Sequence, residues 1–397
     1  MNKLMNWRVS KKSIWCVIAV SLVFHLMIVK VQAAYFPLYD QIRTISVFVL
    51  LIMLVSHIKI FFRKKNDIIL NIIVLLFMLE ILYSSHINSN YATSRFYASL
   101  QFAAGMAETF FVFEYIQYIS RVDLAKKILY YWTLFYCILS DLLFIINPSV
   151  YGTADGFLIG NKFQISYLHI ILLVFWGMHN EEKLKNRKIA TVIHIIWASS
   201  IALYTECSTA LVGVFIVCVI WLLKNRLLMI MEKWETAIVA LAVCDSLLLV
   251  NAAVLSNKYV SYFIQNILGK DTTLTGRLRI YAVIQQAVIR NIWFGQGFEN
   301  NHAATMQTAM AANAQNGILD CMISYGIIGV ALLLIIVIFS FIRGKQKSGF
   351  SQYAMAYTFI GISMVEITLN REFIFFVAMI AACWKCGELK GESKVLL

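Results

Sequence analysis

The chain has 397 residues, of which 60% are hydrophobic and only 14% are charged. A protein of this size with so few charged residues cannot cover its surface with polar side chains. The composition therefore excludes a soluble globular domain and indicates a polytopic membrane protein. The formal net charge of +13 fits contact with anionic lipid headgroups on the inner face of a membrane rather than binding to nucleic acid.

Twelve apolar segments are spaced along the chain, and most approach the length of about 20 residues that a helix needs to cross a bilayer. They span residues 14–29, 44–58, 68–83, 97–119, 128–146, 163–178, 189–204, 209–223, 236–255, 316–341, 352–370 and 373–384. The sequence therefore predicts an all-α integral membrane protein with about 12 transmembrane helices. Residues 1–397 are expected to form a single polytopic domain.

Lysine and arginine are concentrated in alternate connections between these segments. If the N-terminus is cytoplasmic, most of the 34 basic residues fall in the inner connections. This is the expected pattern, because short cytoplasmic loops collect positive charge. We therefore expect both termini to be cytoplasmic. The basic outer connection 256–315 is too long for the charge rule to apply.

The 256–315 connection is far longer than an ordinary loop, so we expect it to contain structure of its own. Thr275 is a suitable helix N-cap, and residues 277–292 have the periodicity of an amphipathic helix. The apolar side carries Tyr281, Ile284, Val288 and Ile292, and the basic side carries Arg279, Gln286 and Arg290. We expect the apolar side to lie on the bilayer or the helix bundle, the basic side to face a polar cavity, and Gly295 and Gly297 to stop the helix.

The basic side of this helix is suited to an anionic ligand, because a guanidinium binds phosphate through two parallel hydrogen bonds and stays charged. Arg277 and Arg279 are candidates for contacting such an anion, and Arg290 for contacting the anion or an attached glycan. Backbone N–H groups at Thr275 and Gly276 would add donors. Further arginines on the outer side are Arg43, Arg95 and Arg371. The alternative is that the basic side is a solvated surface.

Acidic residues within apolar segments cost about 2.5–3.5 kcal/mol at mid-helix and are functional candidates for that reason. Glu206 and Asp320 fall near the outer ends of their segments, on the side of the arginine-bearing connection. Each is a candidate base, as is His302 in the long connection. The alternative is that the acids pair with neighbouring groups in the bundle and that His302 is a solvated loop residue.

Short motifs in residues 275–329 resemble those of the O-antigen polymerase and O-antigen ligase superfamily, and they cover about a seventh of the chain. In chain order they are Thr275-Gly276-Arg277, Asn291-Ile292-Trp293-Phe294-Gly295-Gln296-Gly297, Gln315-Asn316 and Gly326-Ile327-Ile328-Gly329. Weaker similarities are Gly160-Asn161-Lys162 and Ser208-Thr209-Ala210-Leu211. Each motif is short, and the resemblance depends on their order, spacing and location in one large connection.

This resemblance implies an inverting, metal-independent glycosyltransferase with a GT-C-like fold and no cofactor. Its substrates would be oligosaccharide repeat units linked to undecaprenyl diphosphate, joined at the outer face of the bacterial cytoplasmic membrane in capsule, exopolysaccharide or O-antigen synthesis. Lys162, Arg371, Gln315 and Asn316 are further candidates for substrate binding. Expected partners are the lipid-linked glycan, membrane lipids, and flippase and chain-length regulator proteins.

One position departs from the family pattern, because Gln315 stands where relatives frequently have a histidine before Asn316. Glutamine cannot take up and release a proton in the neutral range. If that histidine activates the acceptor in relatives, this chain uses another group. The candidates are His302, Glu299, Asp320 and Glu206. The glutamine also argues against a ligase, in which the resemblance leads us to expect the histidine.

Two other functions fit parts of the pattern. A ligase would move finished polymer to a different acceptor. A flippase or transporter would fit twelve spans with acids inside the membrane. The sequence shows no internal repeat, although transporter folds of this kind usually have one, so the polymerase is the preferred interpretation.

Overall fold

The structure is a computed structural model that describes residues 10–62, 65–88, 93–149, 156–180, 187–247, 262, 266, 277–311 and 313–384. Nearly all regular structure in these residues is helical, and the only β-type pairing among them is an isolated bridge between Val31 and Ile159. The prediction of an all-α protein is confirmed for the described part of the chain.

Fifteen α-helices account for most of the described residues. They are α1 (Lys11–Met27), α2 (Tyr39–Val55), α3 (Lys65–Ile87), α4 (Thr93–Tyr118), α5 (Val122–Ile146), α6 (Lys162–His179), α7 (Lys188–Tyr204), α8 (Ser208–Leu222), α9 (Lys224–Met231), α10 (Trp234–Leu247), α11 (Arg277–Arg290), α12 (Asn301–Ala309), α13 (Gly317–Gly344), α14 (Phe350–Ser363) and α15 (Arg371–Ala381).

The predicted apolar segments coincide with helices, with two differences at their ends. Helix α14 ends at Ser363 instead of continuing to residue 370, and only residues up to 247 of the segment 236–255 are described. Among the described residues, three helical stretches are long and apolar enough to cross a membrane, and the pair α8 and α9, bent by 101°, would make a fourth. The three are Ile68–Ile87, Val122–Ile146 and Gly317–Gly344. A helical membrane protein is therefore supported, while twelve crossings, the GT-C-like arrangement and a single domain stay predictions.

The core of the bundle is formed by helices that are apolar on every side. In α6, every residue from Ile165 to Met178 is buried, and α14 is buried over nearly its whole length. A helix that is hydrophobic all round has no face for water and is expected to be surrounded by other helices. Helices α3, α4, α13 and α15 pack around each other on another side of the same core.

The amphipathic helix predicted in the long connection is present as α11, but it ends at Arg290 instead of Ile292. Ile284 and Val288 are buried in a small cluster with residues of α12 and α13, while Gln286 and Arg290 are exposed. Of the two expected positions for its apolar side, the structure therefore shows packing on the helix bundle. Ile292 lies beyond the helix and is 37% exposed, so its placement on the apolar side was wrong.

Helix α13 is interrupted at Gly326, where φ is 64° and ψ is −170°. The segment 292–297 lies against this break and forms hydrogen bonds with the freed backbone groups. Gln296 N–H donates to Ile323 O (2.6 Å), and Gly297 N–H to Ser324 O (3.0 Å). In the other direction, Ile327 N–H donates to Ile292 O (2.8 Å). Broken helices within a membrane are tolerated only where such partners exist.

Gly295 does not stop α11 as predicted, because the helix has ended five residues earlier, at Arg290. Its role is to allow close approach. Its φ is 67°, and a Cβ at this position would lie 2.5 Å from Tyr325 N in the interrupted helix. Only glycine adopts this conformation freely and leaves room for the neighbouring backbone. The glycine motif thus joins the long connection to α13.

Candidate functional site

A polar cavity of about 390 Å³ lies where the ends of several helices meet. The C-terminus of α1, the N-termini of α6, α13 and α15, and the end of the segment between α11 and α12 all contribute to it. Its charged lining residues are Lys30, Glu299, Asp320, Arg371 and Glu372. The polar uncharged ones are Gln32, Asn161, Gln164, Asn301, Ser324, Tyr325 and Asn370.

Arg371, the first residue of α15, is held in place from two sides. Its guanidinium carbon lies 5.8 Å from the ring centres of both Phe102 and Phe298. These two rings are stacked 4.5 Å apart, and aromatic faces attract cations. Glu299 is 3.7 Å from Arg371 Nη2, so the pair is a loose salt bridge. Because no group in the described part of the chain forms a short hydrogen bond with the guanidinium, it keeps donors for a ligand in the cavity.

Lys30 brings a second positive charge to the same cavity from the connection after α1. The surrounding protein partly removes its ammonium from water, which lowers the pKa of Lys30, while the carboxylate of Glu299 acts in the opposite direction. The cations Arg371 and Arg43 also lower the pKa of Lys30. Three cations therefore influence one another at this end of the bundle, a situation that a bound anion would relieve.

Asp320 lies in the first turn of α13, and its carboxylate is oriented by one side chain. Asn301 Nδ2 donates to both carboxylate oxygens, at 2.9 and 3.1 Å. The turn itself is fixed by Asn316, whose side chain accepts a hydrogen bond from Leu319 N–H as the N-cap of the helix. The carboxylate also accepts a hydrogen bond from the backbone N–H of Ala314, and a carboxylate with these two donors keeps acceptor capacity for a ligand.

Glu372 supplies a third carboxyl group, next to Arg371 in the first turn of α15. Asn370 caps this helix by accepting from Glu372 N–H at 3.2 Å. Within the described part of the chain, Glu372 Oε2 has no hydrogen-bond partner. Asn161 caps α6 in the same way by accepting from Phe163 and Gln164 N–H groups. Three helix starts thus bring polar groups to one cavity.

This arrangement combines fixed positive charge with oriented carboxylates. Arg371 and Lys30 can stabilise negative charge that develops on a leaving group, as preorganised cations do in enzymes. Asp320 can orient or deprotonate a hydroxyl group. The cavity therefore has the two elements that transfer of a glycosyl group from a phosphate ester requires.

Two of the predicted site residues, Arg371 and Asp320, line this cavity, and so does Glu299, the additional candidate base. The others with described side chains lie elsewhere. Glu206 and His302 are exposed and are not among the lining residues. Arg290 is exposed and donates to Gln307 Oε1 of α12 at 2.9 Å. The expectation that the basic side of α11 faces a cavity is therefore not met at Arg290.

Three predicted substrate-binding residues do not line the cavity: Gln315, Asn316 and Lys162. Gln315 has a positive φ of 53° and donates through Nε2 to Asn313 Oδ1 at 2.7 Å. Asn316 is fully buried as the cap of α13. Lys162, at the start of α6, lies over the ring of its neighbour Phe163 at 5.7 Å. Their contact with substrate stays a prediction.

The strongest arginine candidates are not tested. The backbone of Arg277 and Arg279 begins α11, but their side chains lie outside the described part of the structure, as does that of Arg95. Thr275 and Gly276 lie outside the described residues altogether. A contact of these arginines with a diphosphate stays a prediction.

Sequence reasoning did not select Lys30 or Glu372. The signal for Glu372 was available, because Asn370-Arg371-Glu372 places a capping residue, a cation and an acid directly after an apolar segment. Lys30 gave a weaker signal, since a single lysine after a first apolar segment is common. Its participation depends on the path of the chain after α1, which no local pattern specifies.

The model of the O-antigen ligase family matches residues 193–334. Over this region the chain is similar to the O-antigen ligase and polymerase superfamily, which confirms the resemblance found in its motifs. The match supports glycan processing of this type and a glycosyltransferase-like enzyme. It includes Glu299 and Asp320 of the cavity, whereas Lys30, Arg371 and Glu372 lie outside it. No curated protein and no solved structure matched the chain.

Proposed function

We propose that this protein polymerises oligosaccharide repeat units carried on undecaprenyl diphosphate. The observation that supports this best is the polar cavity, which is lined by Lys30, Arg371 and the oriented carboxylate of Asp320. A lipid-linked donor presents a diphosphate directly beside the bond to be broken, so cations fixed at that position stabilise the departing charge. The reaction then needs no bound metal ion.

The proposed transfer is a single displacement. A hydroxyl oxygen on the non-reducing sugar of the incoming unit attacks the anomeric carbon of the growing chain. The bond between that carbon and the diphosphate oxygen breaks, and undecaprenyl diphosphate leaves with the electron pair. Attack from the face opposite the leaving group inverts the configuration at the anomeric carbon. The hydroxyl proton passes to a carboxylate and then to solvent.

Asp320 is the proposed acceptor of this proton. The amide of Asn301 fixes both of its oxygens, and a positioned base accelerates such steps by about 10²–10⁴-fold. Arg371 and Lys30 are proposed to hold the diphosphate. The stack of Phe102 and Phe298 keeps the guanidinium of Arg371 in place, so little reorganisation is needed when the charge develops.

A polymerase is favoured over a ligase by position 315. The resemblance leads us to expect a histidine before Asn316 in a ligase, whereas this chain has Gln315. In the structure, Gln315 is turned to its own loop through Asn313. We propose a bacterial cytoplasmic membrane location, with the cavity on the outer face and both termini inside. A flippase would then supply the substrate, and a chain-length regulator is a further proposed partner.

The test is polymerisation by the purified protein in lipid vesicles. With a lipid-linked repeat unit as the sole glycan, a polymerase forms a ladder of products that persists in the presence of a metal chelator. A ligase forms no ladder and transfers glycan only when a separate acceptor is added. A flippase moves the labelled lipid across the vesicle membrane without forming any glycosidic bond. Either of the last two results would contradict the proposal.

A further inference from the structure

A second cavity, also of about 390 Å³, lies on another side of α4, between α2 and α3. Its lining includes Val47, Leu51, Met78, Leu100 and Phe111. The polar groups in the lining come from Thr44, Gln101, Glu108 and the hydroxyl of Tyr97, so hydrocarbon forms nearly the whole surface. This apolar groove contrasts with the polar cavity, in which most lining residues near the helix ends are polar.

The groove is long enough to hold the first part of an extended hydrocarbon chain. Lining residues run along α2 from Thr44 to Val55 and along α4 from Tyr97 to Phe111. At a rise of 1.5 Å per residue these stretches correspond to about 17 and about 21 Å, most of the hydrocarbon thickness of a bilayer. Phe48, at the rim, is 56% exposed among the described residues, so the groove is open along its side.

The end of the groove at Thr44 and Gln101 adjoins the polar cavity. Gln101 lines the groove and the next residue, Phe102, lines the cavity. Successive residues point about 100° apart on a helix, so α4 forms a shared wall. At this end Gln101 Nε2 donates to Thr44 Oγ1 at 2.6 Å and to Asp40 O at 3.2 Å.

A cation marks the same junction. Arg43 precedes Thr44 on α2, and its Nη2 donates to Leu26 O at 3.1 Å, next to Met27 of the polar cavity. Arg43 is 2% exposed, and it interacts electrostatically with Lys30 and Arg371. An amphiphile with an anionic head and an apolar tail would match the basic polar cavity and the apolar groove beside it.

We propose that the groove binds the polyprenyl chain of the lipid-linked donor while its diphosphate occupies the polar cavity. This inference rests on the proposed function. Glu108 in the floor is 4% exposed, so it adds almost no polar surface and does not oppose a hydrocarbon occupant. The groove would align the donor by its tail, which brings the anomeric carbon to a fixed depth near Asp320.

Photo-cross-linking tests occupancy without requiring any transfer. The full chain is placed in phosphatidylethanolamine and phosphatidylglycerol vesicles with undecaprenyl diphosphate that carries a diazirine in its tail. Labelled peptides are then mapped by mass spectrometry. We expect labelling of α2 and α4 around Leu51 and Ala104, with little at Ile138, an exposed residue of α5 outside the groove. An excess of unlabelled undecaprenyl diphosphate should abolish this labelling, whereas extra phospholipid should not.

A kinetic comparison tests whether occupancy matters. Ala104→Phe fills the floor of the groove, and Ile45→Phe is its control, because Ile45 lies on α2, is 60% exposed and is not a lining residue. We expect Ala104→Phe to raise KM about tenfold or more for the undecaprenyl donor and to leave KM unchanged for a donor whose diphosphate carries a short alkyl group in place of the prenyl chain. Ile45→Phe should change neither value.

Several results would overturn the inference. These are equal labelling of the groove and of Ile138, labelling that phospholipid displaces, or an equal effect of Ala104→Phe on both donors. Failure of the proposed function is distinguishable. In that case the wild-type protein forms no polymer, but the glycan-free lipid still labels the groove.

Discussion

Two regions carry arginine near the polar cavity, and they use it differently. On α11, Arg290 is exposed and bonded to Gln307. At the start of α15, the Arg371 side chain is only 18% exposed and lies against two stacked aromatic rings. A guanidinium that is already held loses little entropy when it binds phosphate, whereas an exposed one must be ordered first. Periodicity reveals the first kind of arginine, and only tertiary packing reveals the second.

The largest effect is expected at Asp320, the carboxylate that lines the same cavity as Arg371. Asp320→Asn keeps the shape of the side chain and removes its basicity, so turnover should fall by about 10²–10⁴-fold. The control is Asp245→Asn, because Asp245 is buried beside Ser363 and does not line the cavity. The measurement is the initial rate of polymerisation by purified protein, with thermal unfolding to confirm folding.

If Asp320→Asn retains most of its rate, Asp320 is not the base, and Glu299→Gln and Glu372→Gln become the variants to compare. If all three variants retain most of the rate, alignment and cation electrostatics are sufficient for this leaving group.

The next largest effect should separate the two arginines directly. Arg371→Lys replaces a planar guanidinium by a point charge and loses both the bidentate geometry and much of the ring contact. We expect its kcat/KM to fall by about 10–100-fold, equivalent to about 1.4–2.7 kcal/mol. Arg290→Lys should change the same quantity by less than about threefold, as expected for a surface residue.

Equal losses in Arg371→Lys and Arg290→Lys would show that α11 contacts the substrate as closely as the cavity wall does. A matched Arg277→Lys variant extends the comparison to the start of α11. A strong loss there would support the original prediction that this helix binds the diphosphate.

The polar site could be predicted from the sequence only in part. Motif order identified the segment that joins α11 to α13, and Asp320 and Arg371 were selected as ionisable groups near segment ends. Lys30 and Phe102 could not be found in this way, because they reach the cavity from connections and helices distant in sequence. Arg290 is exposed and does not line the cavity, and periodicity could not show this, since it separates the two sides of a helix but does not say what each side contacts.

A smaller effect, on stability, is expected in the glycine segment. Gly295→Ala forces a side chain into a backbone with positive φ and places its Cβ 2.5 Å from Tyr325 N. We expect a loss of about 1–3 kcal/mol in the free energy of unfolding. Gly105→Ala is the control, because its nearest neighbour would be Leu26 Cβ at an ordinary 3.5 Å. That change within α4 should be neutral or stabilising by about 0.5–1 kcal/mol.

Denaturation in detergent, monitored by tryptophan fluorescence, measures the stability of both variants. Equal stabilities would show that the contact between the glycine segment and α13 is not tight.

The smallest effect is expected at position 315, where relatives frequently have histidine. Gln315 has a φ of 53° and contacts Asn313 in its own loop, and it does not line the cavity. Histidine is one of the residues that tolerate the left-handed region, so Gln315→His should fold normally. Because the substituted ring would not reach the cavity, the rate of polymerisation should change by less than about twofold, with no new ionisation in the pH profile between pH 5 and 8. A rate increase accompanied by a new dependence on a group with a pKa near 6.5 would show that position 315 faces the reacting hydroxyl. The histidine would then be the base, and Asp320 would have a supporting role.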